Sequence, residues 1–202
     1  MHRFVNVHPC LCKEQLRLTN TMLKDLVNTL VTRQLLKDSR HISVLEQVGM
    51  NLYLLAKGAS YRHVADTFKR SPTSVGKYFH RVVEALMKLS FDVSRPHKSL
   101  DEVPAKIANS SMYFPYFQDC IGALDGTHIE AVLGEDQDVQ FRGRKGVKTW
   151  NVLASCSFDM LFTHVNAGWE GSVHDTTVWK DSLTQEGHCF PHPPQGMDFF
   201  NQ

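Results

Sequence analysis

The stretch Ala123-Leu124-Asp125-Gly126-Thr127-His128-Ile129 places one acidic residue where a short apolar run gives way to glycine. The run before it, Cys120-Ile121-Gly122-Ala123-Leu124, is nearly uncharged, which is typical of a central buried strand. Asp125 and Gly126 end or bend this strand, and the alternating residues 127–132 continue it. An aspartate held at such a point can bind a divalent metal against a phosphate, although an ordinary turn also explains a single Asp-Gly pair.

The overall composition is that of a folded chain without strong charge bias. Of the 202 residues, 42% are hydrophobic and 21% are charged, which argues against wholesale disorder. The net charge is only +1, so affinity for nucleic acid must come from local basic patches. No uncharged apolar run reaches the roughly 20 residues that span a bilayer, so no membrane partner is expected. The five cysteines form no C-x-x-C pair and no secretory signal precedes them, so we expect reduced intracellular thiols.

Three regions of the chain differ in character. Residues 1–91 are predicted to form a helical domain that resembles a helix-turn-helix. Residues 92–118 contain three prolines among polar residues and are predicted to be a connector. Residues 119–202 contain short apolar runs separated by glycines, which indicate strands. The predicted fold class is therefore α+β or α/β.

The helix-turn-helix prediction depends on three successive helical segments. The first segment ends near Gly58, and Ser60 can cap a short second helix. Ser71 and Pro72 open the third, because proline at the first helical position loses no hydrogen bond. The predicted apolar stripe of this third helix consists of Val75, Phe79, Val82, Leu86 and Leu89.

The charge of this region supports contact with DNA. Residues 61–88 contain six lysines and arginines against two acids, a local net charge of +4. Lys77 and Arg81 are the candidate DNA-binding residues of the third helix, and Thr73, Ser74 and Tyr78 also lie near its start, largely off the apolar stripe. An ordinary three-helix bundle with a solvated basic face is the alternative interpretation.

A second basic segment lies in the strand-rich region. Four cations fall within seven residues and are candidate contacts to a phosphate chain: Arg142, Arg144, Lys145 and Lys148. The segment does not match the nucleotide-binding pattern G-x-x-x-x-G-K-[ST]. Two predicted paired strands follow, and Ser172 or His174 then begins a helix that carries Asp175 in its first turn. A carboxylate at that position is also explained by the helix dipole alone.

Several motifs together resemble one known family, the DDE-superfamily transposases of the PIF/Harbinger type and their domesticated, nuclease-like relatives. Residues 113–122 are similar to the approach to the first acid in that family, and the helical half resembles the segment before the catalytic domain in its plant members. The motifs that carry the resemblance occur in the family's order: Ala123–Ile129, Phe141–Gly146, Trp150–Leu153 and Gly171–Asp175.

The resemblance implies a ribonuclease H-like fold whose mixed sheet presents acids to two Mg²⁺ or Mn²⁺ ions, about 3.5–4 Å apart in such sites. It makes Asp125 the first catalytic acid and a metal ligand. Asp175 is then either the second acid or an accessory carboxylate beside the metals, and the topology of the fold favours the accessory role. DNA as substrate, a nuclear location and a separate DNA-binding or chromatin protein as partner are also implied.

The match breaks near the end of the chain. The family continues into a strand that ends in D-x-G-Y-P, and a later helix supplies a glutamate. Here the chain reads Met197-Asp198-Phe199-Phe200-Asn201-Gln202, so Asp198 cannot inherit the second acid's role. We expect an incomplete, C-terminally truncated ribonuclease H-like domain without its fourth strand, which would leave Ile121–Leu124 as an unpaired apolar edge.

Three functional hypotheses follow from these observations. The first is a transposase-derived, metal-dependent DNA endonuclease whose activity is weak or absent in this polypeptide. The second is a non-catalytic module that binds DNA or a chromatin partner. The third is a gene-model or splice fragment without an independent role.

Overall fold

A computed structural model of the protein describes residues 9–95, 103–133, 141–142, 146–185, 190–192, 195–196 and 198–201. The chain divides into two compact units, Met1–Asp92 and Val93–Gln202. Across the described residues, every helix is too short or too polar to cross a lipid bilayer. The first unit is helical and the second is built on a mixed sheet, so the predicted α+β class is confirmed.

The helical unit contains five described helices: α1 (Pro9–Leu16), α2 (Asn20–Thr32), α3 (Val44–Lys57), α4 (Tyr61–Phe68) and α5 (Pro72–Val93). Its core is formed by aliphatic and aromatic side chains from all of them. The helix ends follow the predicted signals. Gly58 ends α3 in the left-handed conformation at φ 57°, the hydroxyl of Ser60 caps α4, and α5 begins at Pro72.

The buried stripe of α5 differs in part from the predicted one. Its buried residues are Val75, Tyr78, Val82, Ala85 and Leu89, whereas Phe79 and Leu86 are only half-buried. The prediction that Tyr78 lies off the apolar stripe is therefore wrong. Tyr78 and Ala85, each one position before a predicted residue, satisfy a helical spacing equally well, and packing against the neighbouring helices selects between the two sets.

The second unit begins with a short helix, α6 (Ala105–Ala108), and then forms a four-stranded sheet. Its strands are β1 (Cys120–Glu130), β2 (Thr149–Cys156), β3 (Phe162–Glu170) and β4 (Asp198–Asn201), in the order β3-β2-β1-β4. Strand β2 is antiparallel to both β1 and β3, and β4 is parallel to β1. Helix α7 (Asp175–Thr184) connects β3 to β4. This topology is consistent with a ribonuclease H-like fold.

The predicted absence of the fourth strand is wrong. Residues 198–201 form β4, which pairs with β1 from Cys120 to Leu124 and covers the edge that was expected to be open. Phe199 explains this pairing, because it is only 9% exposed and joins Ile121 and Leu124 in the core of the sheet.

The turn explanation for Asp125 and Gly126 is also wrong. Strand β1 runs without interruption through both residues, with Asp125 opposite Ala154 and Gly126 opposite Leu153 on β2. The acidic residue therefore lies within the central part of the sheet, because the chain continues the ladder of backbone hydrogen bonds beyond it.

Candidate active site

Asp125 is an exposed acid in the second strand from the sheet edge. One carboxylate oxygen, Oδ1, accepts a hydrogen bond from the backbone N–H of Gly126 at 2.8 Å. Among the described residues, Oδ2 of Asp125 has no hydrogen-bond or ion-pair partner. Carboxylate oxygens are the ligands that Mg²⁺ and Mn²⁺ prefer, so this side chain is able to contribute one metal ligand.

Asp175 is held where helix α7 begins. Its Oδ1 accepts a hydrogen bond of 2.7 Å from the side-chain amide of Asn151, and the same amide donates to the carbonyl of Val173 at 2.8 Å. Asn151 lies on β2 and is fully buried. This amide therefore ties the turn before α7 and the first residue of α7 to the middle of the sheet.

Gly126 is the point where Asp175 meets strand β1. A Cβ atom at Gly126 would lie 2.2 Å from Cγ of Asp175 and 2.4 Å from each carboxylate oxygen. No side chain tolerates such contacts without movement of its neighbour. The close approach of the Asp175 carboxylate, and not a left-handed φ, is therefore what favours glycine at this position.

The two acids lie on opposite faces of the sheet, although Asp175 of α7 meets β1 at Gly126, the residue after Asp125. Successive residues of a strand point to opposite faces. Gly126 faces Asp175, and Leu124 packs in one core with Val178 of α7, so both lie on the face beneath that helix. The carboxylate of Asp125 therefore lies on the other face, together with the exposed residues Thr127 and Ile129.

A small cleft lies beside Asp175 on the face beneath α7. Its volume is about 190 Å³, and its lining includes Gly126, His174, Thr176 and Trp179. The indole N–H of Trp179 is buried without a hydrogen-bond partner among the described residues. The cleft is polar on the α7 side and apolar on the strand side, where Leu124 and Leu153 line it.

The described residues do not assemble a complete metal centre. Among them, no three His, Cys, Asp or Glu side chains converge into a group that could hold an ion. Asp125 fits the chemistry of one ligand, whereas Asp175 is on the other face. Asp198 is also remote, because it pairs with Cys120 at the start of β1, five residues or about 16 Å along the strand from Asp125.

The predicted DNA-binding residues are described only in part. Arg142 is exposed and forms an isolated antiparallel bridge with Lys148, which is half-buried. Arg144 and Lys145 lie outside the described residues. In the helical unit, Lys77 and Arg81 are both exposed on α5, and the guanidinium of Arg81 lies 5.7 Å from the ring centre of Tyr78.

Sequence reasoning missed the polar residues that hold α7 on the sheet. Besides Asn151, these are the buried residues His164, Asn166 and Ser182. The hydroxyl of Ser182 lies 3.3 Å from Nε2 of His164 and accepts a 2.9 Å hydrogen bond from the Asn166 amide. Asn151, His164 and Asn166 are polar residues at inward positions of β2 and β3. An alternating strand pattern by itself assigns polar residues to the solvent face.

Comparison with known families gives two matches. Residues 1–88 match the domain of unknown function DUF8040, and residues 124–196 match the DDE superfamily endonuclease family. The second match begins at Leu124, immediately before Asp125, and includes Asn151 and Asp175. It therefore covers the strand and the helix start described above.

Individual relatives have similar sequences over most of the chain. Protein ALP1-like from Arabidopsis thaliana is 31% identical over 144 residues, which is 70% of this chain and 34% of the plant protein. The relatives that carry the name nuclease HARBI1 are 26% identical to this chain in Rattus norvegicus and 25% identical in Homo sapiens. Each match covers 71% of this chain and 41% of the relative. The chain thus spans between a third and a half of the length of these relatives. No solved structure matches the chain.

Proposed function

We propose that this chain, which belongs to the Harbinger-type DDE-superfamily, transposase-derived nucleases, supplies the first metal-binding acid of a DNA endonuclease. The observation that carries the proposal is the position of Asp125. It is an exposed carboxylate within a central strand, and among the described residues one of its oxygens has no partner. Such an oxygen is available to an ion that bridges protein and phosphate.

The required cofactor in this proposal is Mg²⁺ or Mn²⁺, with Asp125 as a ligand. When bound, such ions supply Lewis-acid activation of water and stabilise the leaving oxygen of a phosphodiester. The chain's own contribution is the placement of Asp125 in β1, which pairs with β2 at Asp125 itself and with β4 as far as Leu124. Asp175 is proposed to act on the other face as a positioning residue, whose hydrogen bond from Asn151 holds the start of α7 against β2.

The proposed substrate is DNA, and the proposed location is the nucleus. Arg142 and Lys148, together with Arg144 and Lys145, are the proposed phosphate contacts of the sheet unit, and Lys77 and Arg81 those of the helical unit. A separate DNA-binding or chromatin protein is a proposed partner. Because Asp125 and Asp175 lie on opposite faces, we expect this polypeptide by itself to cut DNA weakly or not at all.

A Mn²⁺ titration by calorimetry tests the role of Asp125. We expect Asp125→Asn to weaken Mn²⁺ binding by about tenfold or more, because it replaces a charged ligand oxygen with a neutral amide. Asp159→Asn is the matched control, since Asp159 is an exposed acid in a turn of the same unit. Equal titrations of the wild type and Asp125→Asn would overturn the metal site.

A nicking assay on supercoiled plasmid with Mg²⁺ or Mn²⁺ tests the expected weakness of the activity. Efficient cutting that disappears in Asp125→Asn would confirm the nuclease and refute the expected impairment.

A non-catalytic DNA- or chromatin-binding role is the second candidate. It is favoured by the absence, among the described residues, of three metal-binding side chains in one cluster. The calorimetric experiment separates the candidates, because a pure binding module has no Mn²⁺ site that depends on Asp125.

A further inference from the structure

The helical unit contains a second cleft, remote in sequence from Asp125. Its volume is about 470 Å³, and it lies between the segment that joins α2 to α3 and the turn that joins α4 to α5. The first segment contributes Arg40 and His41, and the turn contributes Lys69, Arg70 and Ser71. Tyr78 also lines the cleft. Within the described part of the chain, no acidic residue lines it.

Arg70 holds the two walls of the cleft together. Its Nε and Nη2 atoms donate to the two carboxylate oxygens of Glu46 at 2.7 and 3.0 Å, and Nη2 also donates to the carbonyl of His41 at 3.1 Å. The hydrogen bond with Glu46 is the main reason that the pKa of Arg70 is raised. Its positive charge is thus compensated, and Arg70 acts as a structural residue of the wall.

The uncompensated charge of the cleft belongs to Arg40 and Lys69. Both side chains are exposed, and neither makes an ion pair or a hydrogen bond with another described residue. Lys69 is held in place by its backbone, which caps the end of α4 in the left-handed conformation at φ 54°. Two free cations on opposite walls of one cleft can neutralise a ligand with a single or double negative charge.

Two further groups in the cleft are suited to an anion. Helix α5 is 22 residues long, begins at the cleft and has no acidic residue in its first turn, so the positive end of its dipole is not neutralised there. Tyr78 is only 9% exposed, yet its hydroxyl makes no hydrogen bond with the described residues. A phenol hydroxyl that lines a basic cleft is a donor available to a ligand oxygen.

We propose that this cleft binds a phosphate group of a DNA backbone through Arg40, Lys69, the Tyr78 hydroxyl and the start of α5. The assignment of DNA as the ligand rests on the proposed function, whereas the anion site rests on the geometry of the cleft. Lys77 and Arg81 lie further along α5 and line no part of the cleft. The proposed phosphate site therefore lies on the two connecting segments and is separate from the contacts proposed for Lys77 and Arg81.

Fluorescence anisotropy with a labelled DNA duplex tests this proposal in the full chain, without divalent metal. Each phosphate contact contributes about 0.9 to the slope of log K against log salt concentration. We therefore expect Arg40→Gln and Lys69→Asn each to reduce that slope by about 0.9 and to weaken binding about eightfold at 0.1 M salt. Asparagine is chosen at position 69 because it tolerates the left-handed conformation.

The matched controls are Lys24→Gln and Lys88→Gln, which remove one exposed charge each outside the cleft. Equal weakening by controls and cleft variants would refute the proposal, because it would indicate diffuse attraction. Tyr78→Phe keeps the core and removes only the hydroxyl. We expect this variant to weaken binding about fivefold, the loss of one hydrogen bond of about 1 kcal/mol.

Two other outcomes overturn the assignment of DNA. In the first, the wild type does not bind the duplex at 0.05 M salt. In the second, a phosphopeptide displaces the labelled duplex but unlabelled DNA does not. Failure here is distinguishable from failure of the nuclease proposal, because this assay contains no metal and leaves Asp125 intact. Conversely, loss of the Mn²⁺ site in Asp125→Asn says nothing about Arg40 or Lys69.

Discussion

The contact between Gly126 and Asp175 allows a quantitative test of the site geometry. In the Gly126→Ala variant, the new methyl group would lie 2.2 Å from Cγ of Asp175, so the carboxylate must move away. That movement breaks or lengthens its 2.7 Å hydrogen bond with Asn151 and shifts the start of α7. Insertion of one carbon into a packed position typically costs about 1–3 kcal/mol, and we expect the free energy of unfolding to fall by that amount.

Urea unfolding followed by tryptophan fluorescence measures this change. All three tryptophans, Trp150, Trp169 and Trp179, lie in the sheet unit, so the signal reports on that unit alone. With a slope of about 1–2 kcal/mol per molar urea, a loss of about 2 kcal/mol lowers the midpoint by about 1–2 M.

A double-mutant cycle identifies the carboxylate as the cause. In an Asp175→Ala background the methyl group of Gly126→Ala no longer meets an obstacle, so we expect its cost to disappear. It can even become a gain of about 0.5 kcal/mol, because alanine loses less backbone entropy than glycine. Asp159→Ala is the control background, in which the full cost should remain. A coupling energy below about 0.5 kcal/mol between positions 126 and 175 would refute the geometry.

Three further outcomes are expected. Phe199→Ala should lower the free energy of unfolding of the sheet unit by about 3 kcal/mol in the same urea experiment, because it removes a buried side chain of β4, the strand that pairs with β1. An unchanged midpoint would show that β4 does not form. Asn151→Leu should cost about 1–3 kcal/mol by thermal unfolding, because it leaves the Val173 carbonyl without its donor, whereas the exposed control Ser172→Ala should change little. Burial first, and then the charges of Asp198 and Asp119, raise the pKa of the Cys120 thiol. Asp198→Asn should therefore lower that pKa and speed alkylation of Cys120 by iodoacetamide at pH 8, measured by peptide mass spectrometry. An unchanged rate would contradict the closeness of these groups.

The helical unit shows how far local signals reach. The ends of α3, α4 and α5 follow from Gly58, Ser60 and Pro72, since capping and φ preferences act within a few residues. The buried face of α5 did not follow, because Tyr78 and Phe79 both satisfy a helical period. Packing against the other helices buries Tyr78, and that contact involves residues far away in sequence.

The end of the chain shows where a motif-based argument fails. The absence of D-x-G-Y-P after residue 196 predicted that the fourth strand is missing, yet β4 forms from residues 198–201. A strand requires backbone pairing and one buried side chain such as Phe199, and neither depends on an acid that follows.

The sequence by itself indicated the family, the helical unit before the strands and the position of Asp125 on the first strand, because ordered motifs and strand alternation are properties of neighbouring residues. Only the tertiary structure decided which groups meet. It placed Asp175 against Gly126 and Asn151 on the face opposite Asp125, and it brought Arg40 and Lys69 to one cleft. Strand register and helix packing set these distances. Both depend on contacts between residues that are 24 to 49 positions apart, and a local sequence pattern does not specify such contacts.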